Sequence, residues 1–339
     1  MSWDCGLVAF EKAKEGNMSL EYRVGIIGAG MMACGYDTPQ SDNVLSHAHA
    51  IAVSDGFILA GIYDIDKSKA IYSAKRWNTK AYSSLEELKV DCDLICCAVS
   101  DNAHYEVLSS FFEAGSIKAV LCEKPISTDV QDAIQIVEHF KKKNIPVIVN
   151  YSRRFMSGFR TLKKQVSDYG KLIIGNCFYG KGMIHNCSHM INILDYLIDI
   201  TDYQTISIYS KVFDYNDDDP SIGFCLDNGE SKVYFHVIPC DVTTDFRFEL
   251  CFEKGKIVYD DAEERIIYYK VMNSEKYNGY TNYRYLKFDD ASRNMALPML
   301  YSDIHGLLCD ATENYSDGES AVKTLLKCFE IQKEARKGK

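Results

Sequence analysis

A glycine-rich turn that follows a short apolar run is the most constraining feature of this sequence. The run, Val24–Ile27, has the length and β-branched content of a buried strand. In the next six residues, Gly28 permits a tight turn, Gly30 lets the backbone approach a pyrophosphate, and Ala33 lets a following helix lie close to the strand. The turn is completed by Met31 and Met32. The spacing predicts a dinucleotide-binding turn with a helix N-terminus directly behind it; a simple strand–turn–helix is the alternative.

Length and composition limit the class of protein. The chain has 339 residues, of which 47% are hydrophobic, so two domains with sizeable cores are expected. A formal net charge of −10 disfavours nucleic acid and anionic membrane as main partners. The 13 cysteines include no Cys-x-x-Cys pair, which favours a reducing compartment over a disulfide framework and gives no sign of a metal site. No apolar run reaches the length of a membrane span, and we expect a soluble cytoplasmic protein.

The periodicity of the sequence changes near residue 150. From 22 to 150, apolar strands alternate with helical segments, which predicts right-handed βαβ units and a parallel sheet. From about 204 to 288, period-two runs rich in Tyr, Val, Ile and Phe predict antiparallel strands, followed by helix over 299–336. The predicted class is α/β: an N-terminal Rossmann doubly wound parallel sheet plus a C-terminal α+β domain with a large, mostly antiparallel open sheet. We expect an N-terminal extension (1–21), a dinucleotide-binding domain (22–150) and a substrate and oligomerisation domain (151–339), whose last helices pack back on the first domain.

Ligands of open parallel sheets bind beyond the carboxyl ends of the strands. Asp64 ends the second predicted strand, where an acid binds the adenosine ribose and repels a 2′-phosphate; it predicts NAD rather than NADP, with a helix cap as the alternative. Lys124 follows the fourth strand and precedes a proline that stiffens the chain. Partial burial there would lower the pKa of the amine and suit it for proton exchange, although an exposed lysine is the plainer interpretation.

Several other polar residues are candidates with equally plain alternatives. His185 and His189 are four residues apart and would share one face of a helix, yet the absence of a third ligand argues against zinc. Arg153 and Arg154 follow the fifth strand and could bind a carboxylate or phosphate, or form surface ion pairs. We expect His47, which follows the predicted loop insertion at 34–46, to have a structural role or to lie at the rim of the site rather than to take part in catalysis.

These motifs, in this order, resemble the glucose-fructose oxidoreductase / inositol dehydrogenase / rhizopine-catabolism (Gfo/Idh/MocA) oxidoreductases. The resemblance rests on five segments of the chain: Gly25–Gly30, Ser100–His104, Cys122–Pro125, Asn150–Phe155 and Ser188–Asn192. It implies a nicotinamide-dependent enzyme that acts on a secondary hydroxyl of a sugar, sugar derivative or cyclic polyol. It also implies a homodimer or homotetramer formed through the C-terminal sheet.

The resemblance further implies roles for individual residues. Ser100, Asn102 and His104 would line the nicotinamide side of the cofactor, and Glu123 would contact its ribose or carboxamide. Lys124 would contact the cofactor and orient the reacting hydroxyl, His189 would transfer the proton, and His185 would hydrogen-bond the sugar. The family usually has an aspartate where this chain has His185, and a proline is common where it has Asp101. A non-catalytic NAD(P)-binding regulator, or an NAD-retaining glycosidase or lyase that uses transient oxidation, are therefore the alternative functions.

Overall fold

The structure is a computed structural model that describes residues 21–337. The predicted N-terminal extension lies outside this range except for Glu21. No helix within residues 21–337 is long and apolar enough to cross a membrane.

The first half of the chain folds around six parallel strands in the spatial order β3-β2-β1-β4-β5-β6. The strands are β1 (Tyr22–Ile27), β2 (Phe57–Tyr63), β3 (Lys80–Ala81), β4 (Leu94–Cys97), β5 (Ala119–Cys122) and β6 (Val147–Val149). The connecting helices are α1 (His47–Val53), α2 (Lys67–Arg76), α3 (Leu85–Asp91), α4 (His104–Ser109) and α5 (Val130–Lys142). All residues of β4 and β5 are buried because apolar clusters cover both faces of the sheet. The predicted doubly wound parallel sheet is confirmed, and only β3 was missed, since two residues carry no periodicity.

The segment behind the glycine turn lacks the predicted helix N-terminus, whereas the predicted loop insertion is confirmed over 36–46. No α-helix begins at Gly30; a single π-helical turn, Met31–Gly35, is followed by a loop, and α1 begins only at His47. The loop is fixed to α1 because the buried Asp37 carboxylate accepts hydrogen bonds from the Leu45 amide at 2.6 Å and from His49 Nδ1 at 2.9 Å. The insertion therefore separates the glycine turn from the helix of the first crossover.

The second half of the chain folds around an eight-stranded sheet in the order β14-β13-β12-β11-β7-β10-β9-β8. The strands are β7 (Leu172–Tyr179), β8 (Thr205–Asn216), β9 (Asp219–Asp227), β10 (Lys232–Val237), β11 (Arg247–Phe252), β12 (Gly255–Asp260), β13 (Arg265–Asn273) and β14 (Thr281–Asp290). All neighbours are antiparallel except β7 and β10. Buried and partly exposed residues alternate along β11 and β12, because one face packs on α6 (Ser157–Gln165) and α7 (Ser188–Ile198). The mostly antiparallel open sheet is thus confirmed.

The last two helices lie against both sheets. Helix α8 (Ala296–Leu308) packs on α1, and α9 (Gly318–Lys337) packs on α5 and on α7. The prediction of helix over 299–336 is wrong between 309 and 317. There Asp310 takes a left-handed conformation (φ 54°), and the chain turns back along β6. Tyr301 of α8 packs on Phe57 of β2 at 5.5 Å between ring centroids.

Candidate functional site

A cavity of about 600 Å³ lies at the carboxyl end of the parallel sheet, over the glycine turn. Six predicted cofactor residues line it: Gly28, Gly30, Met31, Met32, Asp64 and Ser100. Gly28 has φ 101°, and a Cβ there would lie 2.4 Å from the Ala98 carbonyl oxygen. A Cβ at Gly30 would meet no atom of the described residues within 4 Å, so this backbone is open to a ligand. Ala33 is completely buried and lies below the turn.

Asp64 stands at the edge of this cavity, at the end of β2. Its Oδ2 accepts a hydrogen bond from the Ala29 amide at 2.7 Å, and its Oδ1 accepts one from the Asp66 amide at 2.8 Å. The carboxylate therefore holds the glycine turn in place and remains half-buried beside the cavity.

The residues after β4 separate into two groups. Ser100 faces the cavity and Asn102 is exposed, whereas His104 is completely buried. The His104 Nδ1–H donates to the Pro125 carbonyl at 2.7 Å. This hydrogen bond holds the backbone next to Lys124 in place. His104 also lies beside Cys97 and Cys122, and the same nitrogen is 3.6 Å from the Cys122 sulfur. A metal ion bound there would have to displace the bond to Pro125.

Glu123 faces inward, into a network of polar side chains. Its Oε1 accepts hydrogen bonds from His47 Nε2 at 2.8 Å and from Asn150 Nδ2 at 2.7 Å. His47 is completely buried, and its Nδ1 lies 3.1 Å from the Tyr301 hydroxyl. Burial opposes the charge on His47, but Cys96 and then Glu123 outweigh it and raise the pKa of His47 to about 10. Burial likewise opposes the charge on Glu123, yet His47 and Asn150 lower the pKa of that carboxyl, and the two side chains form an ion pair.

Lys124 connects the edge of the parallel sheet to the second half of the chain. Its Nζ donates to the His185 carbonyl oxygen at 2.9 Å. Burial lowers the pKa of Lys124 below its ordinary value, although Glu123 and nearby aspartates act in the opposite direction. The amine is therefore fixed at the junction of the two sheets.

The two histidines follow β7 on a π-helical turn, Met183–Cys187, and the first turn of α7. The backbone amides of Ile184 and His185 each donate at 2.8 Å to the Asp219 carboxylate, which fixes the turn. The His185 ring stacks on Tyr215 at 4.5 Å between centroids. Burial and then Lys124 lower the pKa of His185 to about 4, so the ring is neutral near pH 7.

His189 packs edge-on against Tyr151 at 5.5 Å between ring centroids. Burial and then Lys124 hold the pKa of His189 well below its usual value. Its Nδ1 is buried and has no hydrogen-bond partner among residues 21–337. The structure thus brings Lys124, His185 and His189 together, and two of the three are uncharged.

The two predicted arginines lie in different places. Arg153 lines a second cavity, of about 550 Å³, next to His185; its guanidinium donates to Asp261 at 2.8 Å and lies 3.7 Å from the Phe246 ring centroid. Arg154 is buried between the two sheets, where it donates to Asn192 Oδ1 at 2.6 Å and to the Tyr315 carbonyl at 3.1 Å. Arg154 thus joins elements of the fold rather than lining either cavity.

Four charged residues of the second cavity were not predicted from the sequence. They are Lys181, Asp261, Glu264 and Arg293. Lys181 could have been found, because it lies directly behind a predicted strand and between two glycines, Gly180 and Gly182. Asp261 and Arg293 are far apart in the sequence and show no pattern there; only the folding of the second sheet brings them to Arg153.

Comparison with known proteins finds a family model that matches the first part of the chain. Residues 22–151 match the model of the Gfo/Idh/MocA oxidoreductase family, NAD-binding Rossmann fold. The segments matched in the first three curated relatives span 38–45% of the length of those proteins. A longer match is to inositol 2-dehydrogenase 3 of Saccharopolyspora erythraea, with 25% identity over 257 residues, covering 70% of this chain and 73% of the relative.

Solved structures agree with the fold of both halves. An oxidoreductase from Agrobacterium radiobacter in complex with NAD⁺, L-tartaric acid and magnesium matches with TM-score 0.73 and 16% identity, over 94% of this chain and 97% of that one. An NAD binding oxidoreductase from Klebsiella pneumoniae matches with TM-score 0.74 and 14% identity, over 93% and 96%. Residues 22–151 are therefore similar to the NAD-binding Rossmann domain of the Gfo/Idh/MocA oxidoreductases, and the likeness to the solved structures shows the fold of both halves of the chain.

Proposed function

We propose that this protein is an NAD-dependent dehydrogenase that acts on a secondary hydroxyl of a sugar, sugar derivative or cyclic polyol. The observation that carries the proposal is the bond of 2.9 Å from Lys124 Nζ to the His185 carbonyl. It holds a cation beside two neutral histidines, where the edge of the parallel sheet meets the second half of the chain. Inositol dehydrogenases among the relatives support this substrate class. In this proposal, residues 22–150 bind the cofactor, and residues 151–339 bind the substrate and a second copy of the chain.

The residues of the first cavity fit a nicotinamide dinucleotide. The open side of Gly30 gives a pyrophosphate access to the backbone, and Gly28 keeps the turn tight. Asp64 would accept hydrogen bonds from the adenosine ribose, and its charge disfavours the 2′-phosphate of NADP. When bound, NAD supplies the hydride acceptor for the oxidation.

The protein then has to orient the alcohol and move its proton. In our proposal the Lys124 ammonium donates to the reacting oxygen and stabilises its developing negative charge. His189, which is neutral, accepts the hydroxyl proton, and His185 hydrogen-bonds a neighbouring hydroxyl. Reduction of the ketone uses the same groups in reverse.

A turnover screen tests this function. The purified protein is mixed with NAD⁺ or NADP⁺ and with myo-inositol, D-glucose or D-gluconate, and reduced cofactor is followed by absorbance. We expect reduction with NAD⁺ and at least one of these alcohols. Tight NADH binding without turnover of any alcohol would favour the regulator, and glycoside cleavage without net cofactor reduction would favour the glycosidase or lyase. Either result would contradict the proposed dehydrogenase.

Gly30→Ala should weaken cofactor binding without affecting folding. A methyl group at Gly30 meets no atom of residues 21–337 within 4 Å, so we expect the melting temperature of the protein without cofactor to stay the same. The methyl group occupies the approach of the pyrophosphate, and we expect NADH affinity to fall about tenfold or more, which corresponds to roughly 1.4 kcal/mol. Calorimetric titration with NADH measures the affinity. Gly115→Ala, which changes an exposed glycine that has room for a Cβ and lies outside the cavity, controls for a general effect of the added methyl group.

The open face of the second sheet supports a homo-oligomer. Exposed aromatic residues lie on its outer strands, among them Tyr209, Phe213, Tyr283, Tyr285 and Phe288. Large exposed apolar areas of this kind are typical of interfaces. We propose a homodimer or homotetramer through this face, to be measured by sedimentation. The 12 cysteines of the described residues are all free, which fits the proposed cytoplasmic location.

A further inference from the structure

The cavity beside the histidines is rich in positive charge. It has a volume of about 550 Å³, which suits a small ligand, and lies beyond the end of β7. Its charged lining consists of Arg153, Lys181, Arg293, Asp261 and Glu264. Three cations thus face two carboxylates.

The two carboxylates are already occupied by protein donors. Asp261 accepts from Arg153 at 2.8 Å, from the Arg293 guanidinium, and from the Tyr259 hydroxyl at 2.5 Å. Glu264 accepts from the Arg293 backbone amide at 3.3 Å. Within residues 21–337, the Lys181 amine has no carboxylate at ion-pair distance, so its charge is uncompensated.

Lys181 is also held in an unusual backbone conformation. Its φ is 67°, in the left-handed region, and the adjacent Gly182 has φ 87°. The Lys181 amide donates to Asp214 at 2.8 Å, and the Gly182 amide donates to Ser221 at 2.9 Å. Strain of this kind is found where the surrounding structure fixes a functional side chain. The Lys181 amine lies 5.6 Å from the centroid of Tyr215, the ring on which His185 stacks.

Two further acids near Lys181, Asp214 and Asp219, accept hydrogen bonds from other groups of the protein. Asp214 also accepts from the Ser221 hydroxyl at 2.7 Å and from the Cys240 amide at 3.0 Å. Asp219 is occupied by the amides of the histidine turn and by Gln332 at 3.3 Å. After burial, Lys124 and Lys181 lower the pKa of His185, and Lys124, Arg153 and Arg293 are among the groups that lower the pKa of His189. Within residues 21–337, no carboxylate of this cavity is left to balance Lys181, so a negative charge is missing from the protein at this point.

We infer that the substrate supplies this charge: the hydroxyl compound that reacts beside Lys124 carries an oxyanion, a carboxylate or a phosphate, which binds to Lys181 and Arg293. The inference rests on the proposed function, because it assigns the charge of the substrate in the same site. A substrate with hydroxyl groups alone would leave Lys181 without a counter-charge. An oxyanion accepts charge-assisted hydrogen bonds from both cations, and such bonds are about twice as strong as neutral ones.

Binding measurements test the inference without requiring turnover. The NADH-loaded protein is titrated calorimetrically with D-gluconate, D-glucose 6-phosphate, D-glucose and myo-inositol. We expect one of the two anions to bind about tenfold or more tightly than D-glucose, and its affinity to fall as salt is added. The comparison of gluconate with glucose 6-phosphate identifies carboxylate or phosphate as the preferred group. Equal affinities for anionic and neutral compounds would overturn the inference.

Lys181→Met should remove the preference for the anion. We expect gluconate or glucose 6-phosphate to lose about tenfold in affinity while D-glucose changes by less than about threefold. Lys163→Met is the matched control, since this exposed lysine lies 5.3 Å from the centroid of Tyr196 and outside the cavity. A Lys181→Met protein that keeps the full preference would contradict the assignment of this residue. Anion binding without dehydrogenation of any alcohol would refute the proposed dehydrogenase and leave the anion site intact, whereas turnover of neutral polyols without anion preference would refute only the anion site.

Discussion

Lys124→Met is expected to lower kcat/KM by about 10²–10⁴-fold, the typical contribution of one general acid–base or charge-stabilising group. The physical reason is the position of the amine, 2.9 Å from the His185 carbonyl and beside two histidines that are neutral near pH 7. Methionine keeps the length and the apolar stem of the side chain but offers no positive charge to the oxygen that loses its proton. Steady-state kinetics with NAD⁺ and the best alcohol of the screen measure the effect.

Cofactor binding separates this role from a structural one. Lys124 does not line the cofactor cavity, so NADH affinity should change by less than about threefold in the variant. Lys164→Met, at an exposed position of α6, should leave kcat/KM unchanged. If Lys124→Met reduced turnover by no more than about threefold, or lost NADH binding to the same extent as turnover, the proposed role of this lysine would be wrong.

His47→Gln is expected to destabilise the protein by about 3–5 kcal/mol near pH 6, because it leaves the Glu123 carboxylate without its buried counter-charge. The His47 side chain is completely buried and that of Glu123 is 14% exposed, so water cannot replace the lost partner fully. The double variant His47→Gln/Glu123→Gln should recover much of this loss, since both charges are then removed. Urea denaturation measures the free energy of unfolding of each protein.

The loss in the His47→Gln variant should depend on pH. The pKa of His47 is raised from 6.5 to about 10 in the folded state, so its contribution to stability is fully present below pH 6.5 and is lost as the pH rises through 10. The pKa of Glu123 is lowered from 4.5, so its contribution is present above that pH and is lost as the pH falls through the folded value. The difference between the parent and His47→Gln proteins should therefore be largest between pH 4.5 and 6.5 and shrink toward pH 10. A difference that stays constant to pH 10 would mean that packing, not charge, is responsible.

The residues in these two predictions differ in how well the sequence alone could locate them. Lys124 could be located from the sequence, because a lysine and a proline directly behind a buried strand have a place fixed by the sheet. The contact of His47 with Glu123 could not, since α1 follows a loop of uncertain course and the partner is 76 residues away. Buried polar pairs leave no periodic signal, and their partners are defined only when the helices pack.

By itself, the sequence determined the elements whose signals are local. The apolar runs predicted five of the six strands of the parallel sheet, all except β3. The alternating runs predicted the antiparallel sheet, and the glycines Gly28 and Gly30 marked the turn between β1 and the cofactor cavity. Period and turn chemistry act over a few residues, so they can be recognised without the fold. The tertiary structure alone decided which distant side chains meet: it placed Lys124 against the turn of His185, turned Arg154 into the interior, and gathered Arg153, Lys181 and Arg293 into one cavity. These contacts arise from the packing of two sheets and two terminal helices, and no short stretch of sequence encodes them.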